Sequence, residues 1–157
     1  MPRPAREDIL KDTELLSIVG AINIEWDEIE IALWRIFWKI LKGPWHHSYA
    51  IFYSQQNHRA RREMLESLAL AAMPDGSAEL RKIKALLGRV KRAATKRNEI
   101  SHGLWDKEDK SAELLRRPLK RKYTENTENA YSKSDLKALQ DQLTKLSDDL
   151  FAYYSSP

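Results

Sequence analysis

The sequence has no cysteine and only five glycines among its 157 residues. The first absence excludes a disulfide framework, a thiolate metal site and a cysteine nucleophile, and it fits a reducing cytoplasm. The second leaves little room for a glycine-rich phosphate loop. Uninterrupted apolar runs are missing too. The N-terminal residues Met1 to Asp8 lack the apolar stretch of a signal peptide. The most hydrophobic segment, Ile18 to Leu41, carries Glu25, Asp27, Glu28, Glu30, Arg35 and Lys39, too many charges for a spanning helix, so no membrane partner is expected. Histidine is scarce as well. His46, His47 and His58 lack carboxylates at a metal-binding spacing and read as structural or surface residues, so neither a metal nor another cofactor is expected. Ser101 has His102 beside it but no acid in triad order, which argues against hydrolase chemistry at serine.

What is present suits one folded domain over residues 1–157. Apolar residues make up 42% and charged residues 32%, a mix that can bury a core without staples. The net charge of +4 permits nucleic-acid binding without demanding it. Its placement is more telling. Lys82, Lys84, Arg89, Lys91, Arg92, Lys96 and Arg97 cluster in one segment, and Arg116, Arg117, Lys120, Arg121 and Lys122 in another. Each is either a solvated face or a set of phosphate contacts.

Hydrophobic periodicity predicts an all-α fold, an antiparallel helical bundle of four to five helices with a long loop or short hairpin before the last helix. The first helix spans about 6–42 with a break near Thr13. Its stripe of Ile22, Trp26, Ile29, Leu33, Ile36 and Ile40 is accompanied by a second strip of Ile24, Ile31, Trp34 and Trp38, and Gly43-Pro44 ends it. A helix apolar on two faces is central in its bundle or shared with a partner subunit. Further helices are predicted over 46–53, 57–72, 78–102 with Ser77 or Asp75 as cap, and 135–154 with Ser134 as cap. From Leu104 to Lys133 periodicity fails.

The helix from Leu80 has its apolar seam at Leu80, Ile83, Leu87, Val90 and Ala94. The same spacing continued gives Arg97 and Ser101, an arginine where a leucine belongs. A buried guanidinium needs a partner. Glu30, inward-facing among Trp26, Leu33 and Phe37, is the expected one. Asn98 and His102 stand four apart on one face and can hydrogen-bond. Arg97 and His102 are about 140° apart on a regular helix and can flank one cleft. This set suits metal-free phosphoryl transfer. An imidazole takes a proton from a ribose 2′-hydroxyl, and a guanidinium stabilises the phosphorane charge. One histidine supplies half of the acid–base chemistry, so a homodimer that brings two sets together completes it.

The segment Arg97-Asn98-Glu99-Ile100-Ser101-His102-Gly103 resembles the Arg-x(4–6)-His motif of the HEPN superfamily, in the variant with a polar residue after the arginine. Trp26-x-x-x-Glu30-x-x-Leu33 and the stretch from Phe52 to Arg59 extend the likeness loosely. The resemblance implies a four-helix-bundle domain that dimerises with the motif lining the subunit cleft. It implies a metal-independent endoribonuclease of toxin–antitoxin, phage-defence or CRISPR type, with RNA as substrate and an antitoxin or other protein as a further partner. Arg97 and His102 become the catalytic pair and Asn98 the orienting residue. Glu30, Ser101 and Trp105 support them, Trp105 either stacking on a base or closing the helix end. Arg89, Arg92, Lys96, Arg116 and Arg117 are the expected RNA contacts. Two alternatives stand beside this: an inactive module of the same fold that binds RNA, nucleotide or protein, and a structural subunit in which Arg97 and Glu30 form a buried ion pair.

Overall fold

Asp12 interrupts the first helical stretch. Its side chain accepts a hydrogen bond from the Leu15 N–H at 3.1 Å, satisfying one of the free donors of a new helix. Two helices result, α1 (Arg6–Lys11) and α2 (Thr13–Leu41). The structure, a computed structural model, describes residues 6–102, 104–107, 114–117 and 129–157, with side chains over 9–101 and 131–157. Beyond α2 it contains α3 (Trp45–Ser54), α4 (His58–Ala72), α5 (Ala78–His102), β1 (Leu104–Lys107), β2 (Leu114–Arg117), β3 (Asn129–Tyr131) and α6 (Lys133–Ser155).

The fold is therefore all-α in class, as the periodicity predicts, with six described helices because of the break at Asp12. The expected hairpin is β1 paired antiparallel with β2, and β3 adds a third antiparallel strand. Caps account for most of the helix starts. Asn57 accepts from the Ala60 N–H at 2.9 Å and Ser77 from the Leu80 N–H at 3.1 Å. The cap of α6 is Ser132, not Ser134. Ser132 Oγ accepts from the Asp135 N–H at 3.1 Å while the Asp135 carboxylate accepts from the Ser132 N–H at 2.8 Å. This reciprocal pair satisfies two donors, and Ser134 has no acid placed to do the same.

The chain divides into two compact units, residues 1–24 with 94–142, and residues 25–93 with 143–157. The second is a helix bundle. Phe37 of α2 meets Phe52 of α3 at 5.5 Å between ring centroids, Arg35 of α2 lies over the Phe151 ring of α6, and Arg89 of α5 pairs with Asp149 of α6. Ile29, Leu33, Ile36, Leu65, Ile83 and Leu143 are fully buried at its core. Lys39 donates from Nζ to the carbonyls of Tyr153, Tyr154 and Ser156, placing a cation on the negative end of α6. In the first unit Ile22, Ile100 and Leu136 are fully buried. There Lys133 of α6 pairs with Asp12, the cap of α2, and with Glu14 in its first turn, each at 2.8 Å. No helix among the described residues is long and apolar enough to cross a membrane.

Candidate functional site

The polar end of the α5 seam lies in the first unit. Ala94 and Ile100 are buried, and Arg97 and Ser101, which continue the seam, are half-buried. The side chain that gathers these two is Asn23 of α2. Its Oδ1 accepts from Arg97 Nη2 at 3.3 Å and from Ser101 Oγ at 3.3 Å. Its Nδ2 donates back to the Val19 carbonyl at 3.0 Å, which fixes the amide's orientation. Arg97 also reaches Asn98 Oδ1 through Nη1 at 3.4 Å. A guanidinium on its long, flexible stem has rotamer freedom to lose before it can act as a fixed charge, and two asparagine oxygens restrict it. Glu99, between them in sequence, accepts from Tyr131 of β3 at 2.6 Å.

The α5 spacing puts Arg97 and Ser101 on one seam, and Asn23 lies outside that pattern. A signal existed: it is the only polar side chain between Ile18 and Glu25. The backbone of His102 ends α5, five residues beyond Arg97. The side chains of His102, Trp105, Arg116 and Arg117 lie outside the described residues. Backbone register sets Trp105 of β1 directly opposite Arg116 of β2. Of the other expected RNA contacts, Arg92 and Lys96 are exposed, whereas Arg89 is drawn to Asp149 at 2.6 Å.

Glu30, the partner expected for Arg97, is buried at 9% exposure, as its inward position predicts, and its two carboxylate oxygens serve α4: one meets His58 Nδ1 and the other accepts from Arg61 Nη1 at 2.8 Å. Helix periodicity gives the face on which Glu30 sits and not the helix that faces it. A second polar cluster follows in the second unit. Trp26 sets its ring edge-on to His58 at 4.6 Å, and the Arg61 guanidinium lies 5.1 Å over the Tyr53 ring. Burial works against ionisation of Glu30, but the contacts with His58 and Arg61 outweigh it and hold the carboxyl below its usual range. Burial, and then the Glu30 charge, push the Tyr53 phenol up. His58 Nε2 is buried and has no hydrogen-bond partner among the described residues. That points to a structural histidine whose Nδ1 carries the proton shared with Glu30.

Among the described residues no group of three histidine, aspartate or glutamate side chains is placed to hold a metal ion. Comparison with family models, with curated proteins and with solved structures yields no match.

The chemistry available at the α5 end is therefore set by its own residues. A guanidinium held by two amides offers a localised positive charge, and the neighbouring hydroxyl of Ser101 is committed to Asn23 as a donor. A cation so fixed suits an anionic oxygen better than a neutral group, because the charge-assisted hydrogen bond is the stronger one.

Proposed function

We propose that the chain is a HEPN-like, metal-independent endoribonuclease that acts as a homodimer, with Arg97 and His102 at the subunit cleft. The reading rests on the resemblance of residues 97–103 to the Arg-x(4–6)-His motif. The observation that supports it best is the Asn23 node, which holds Arg97 on the inward seam of α5 together with Ser101. In the reaction, His102 of one subunit takes the proton from a ribose 2′-hydroxyl. The 2′-oxygen attacks phosphorus and the bond from phosphorus to the 5′-oxygen breaks. His102 of the second subunit gives a proton to the leaving 5′-oxygen. Arg97 stabilises the charge on the phosphorane oxygens, and Asn98 orients the pair. The products are a 2′,3′-cyclic phosphate and a 5′-hydroxyl. Arg92, Lys96, Arg116 and Arg117 hold flanking phosphates, while Arg89 engages RNA only at the cost of Asp149. A toxin or defence role in the cytoplasm, with an antitoxin or other protein partner, goes with this reading.

End-group analysis of digested RNA tests the chemistry. Cyclic phosphate ends support the mechanism, and 5′-phosphate ends contradict it. The same node also suits a module that binds RNA, nucleotide or protein without cleaving. In that case Arg97 is a fixed anion contact, and RNA is bound and recovered intact.

A further inference from the structure

The second unit carries an outward strip on α2 that its own core does not use. Asp27, Ile31, Trp34 and Trp38 follow one another at three- and four-residue spacings and fall on one side of the helix, and Lys42, in the left-handed region at φ 56°, lines a pocket together with Trp38. Lys42 lies just past the helix end, yet its N–H still bonds the Trp38 carbonyl at 3.0 Å. Ile31, Trp34 and Trp38 are partly exposed, and Asp27 and Lys42 are fully so. The two indoles stack, with centroids 6.2 Å apart and planes 8° from parallel. Both indole N–H groups are already satisfied: Trp34 donates to Ser48 Oγ at 3.2 Å and Trp38 to the Gly43 carbonyl at 2.8 Å. Their outward faces therefore present carbon with no polar demand. Beside them α3 contributes Tyr49, edge-on to Trp34 at 5.4 Å and 47% exposed, and Trp45, 56% exposed. That helix has no Asp, Glu, Lys or Arg in its ten residues.

Three occupants compete for such a face. RNA fits poorly, because the strip holds one cation and one anion and offers phosphates no net charge. A foreign protein has no feature on this face to select it. A second copy has one. The strip is acidic at its start, apolar in the middle and basic at its end, with Trp34 midway between Asp27 and Lys42. A two-fold axis beside Trp34 sets two α2 helices antiparallel, so each Asp27 faces Lys42 of the second copy and each Ile31 faces its Trp38. Among the described residues neither Asp27 nor Lys42 makes an ion pair.

We infer that this α2–α3 face is the isologous contact between two copies of the chain, with the aromatic strip at its centre and two Asp27–Lys42 pairs at its ends. The inference rests on the homodimer of the proposed function and assigns it a contact within the second unit.

Sedimentation of the full chain at micromolar concentrations, with Asp27→Lys, Lys42→Asp and the double variant, tests it. Both positions of change carry exposed side chains, and circular dichroism verifies the fold. The parent is expected to be dimeric. Each single reversal puts like charges together twice and weakens the dimer about tenfold, and the double variant restores it to within about threefold of the parent. A monomeric parent, single variants as tight as the parent, or a double variant no tighter than the singles overturns the contact. The readout uses no RNA, so a chain that dimerises this way and cuts nothing contradicts the nuclease and leaves the contact standing.

Discussion

Arg97 Nη2 donates to Asn23 Oδ1 at 3.3 Å, and the same oxygen accepts from Ser101. One amide thus links the arginine that the proposed chemistry needs to a helix that precedes it by more than seventy residues. Replacing Asn23 by leucine keeps the branched shape and removes the acceptor. The expected result is a loss of cleavage rate of about tenfold to a hundredfold, from misplacement of the guanidinium, with helicity retained. Single-turnover rates beside circular dichroism check this. A folded Asn23→Leu variant with the parent's rate shows that Asn23 does not position Arg97.

The Glu30 cluster predicts an acid-sensitive contribution to stability. The folded carboxyl is held below its value of 4.5 in the unfolded chain, so the stabilisation is present above pH 4.5 and is lost as pH falls through the folded value. Glu30→Gln removes this dependence. It also leaves Arg61 and His58 with a neutral neighbour, at a cost of about 2–3 kcal/mol for a largely buried partner left unpaired. Denaturant melts of parent and variant from neutral pH to below 4.5 measure both. Parallel pH curves for the two proteins contradict the assignment.

Tyr153 is 2% exposed, and its hydroxyl donates to Glu79 at 3.3 Å. Burial first, and then the adjacent carboxylate, push its phenol up to about 12 from the ordinary 10.0. The folded state holds this proton where the unfolded state releases it, so stability is complete below pH 10 and declines as pH rises from 10 toward 12. Phenolate absorbance should show Tyr153 titrating last in the folded protein, beyond the smaller upward shift of Tyr53, and Tyr153→Phe should abolish that last step. A parent in which every tyrosine titrates near 10 contradicts it.

The helices and the seam were legible because burial imposes periodicity. Leu80, Ile83, Leu87, Val90 and Ala94 are spaced for one face and are all buried. Glu30 was legible in the same way as an inward carboxylate. Its partner was not, since the pattern along α2 says nothing of which residues α4 presents to it. The Asn23 node fails for the same reason: a polar side chain in an apolar run is visible, but its hydrogen bonds cross to a helix far along the chain. The cap of α6 turns on a difference of two residues. Ser132 and Ser134 have equal propensity, and Asp135 decides between them by bonding back to the Ser132 N–H. The same carboxylate is held below its usual range by the Ser132 hydrogen bonds.

Arg97 and His102 are the residues proposed to cut RNA without a metal. Incubation of the full chain with mixed RNA in EDTA, beside Arg97→Ala and His102→Ala, tests this. Cleavage by the parent is expected, with a loss of at least about a hundredfold in each variant while helicity and mass are unchanged. An inert parent, or variants that cut as well as the parent, contradicts it.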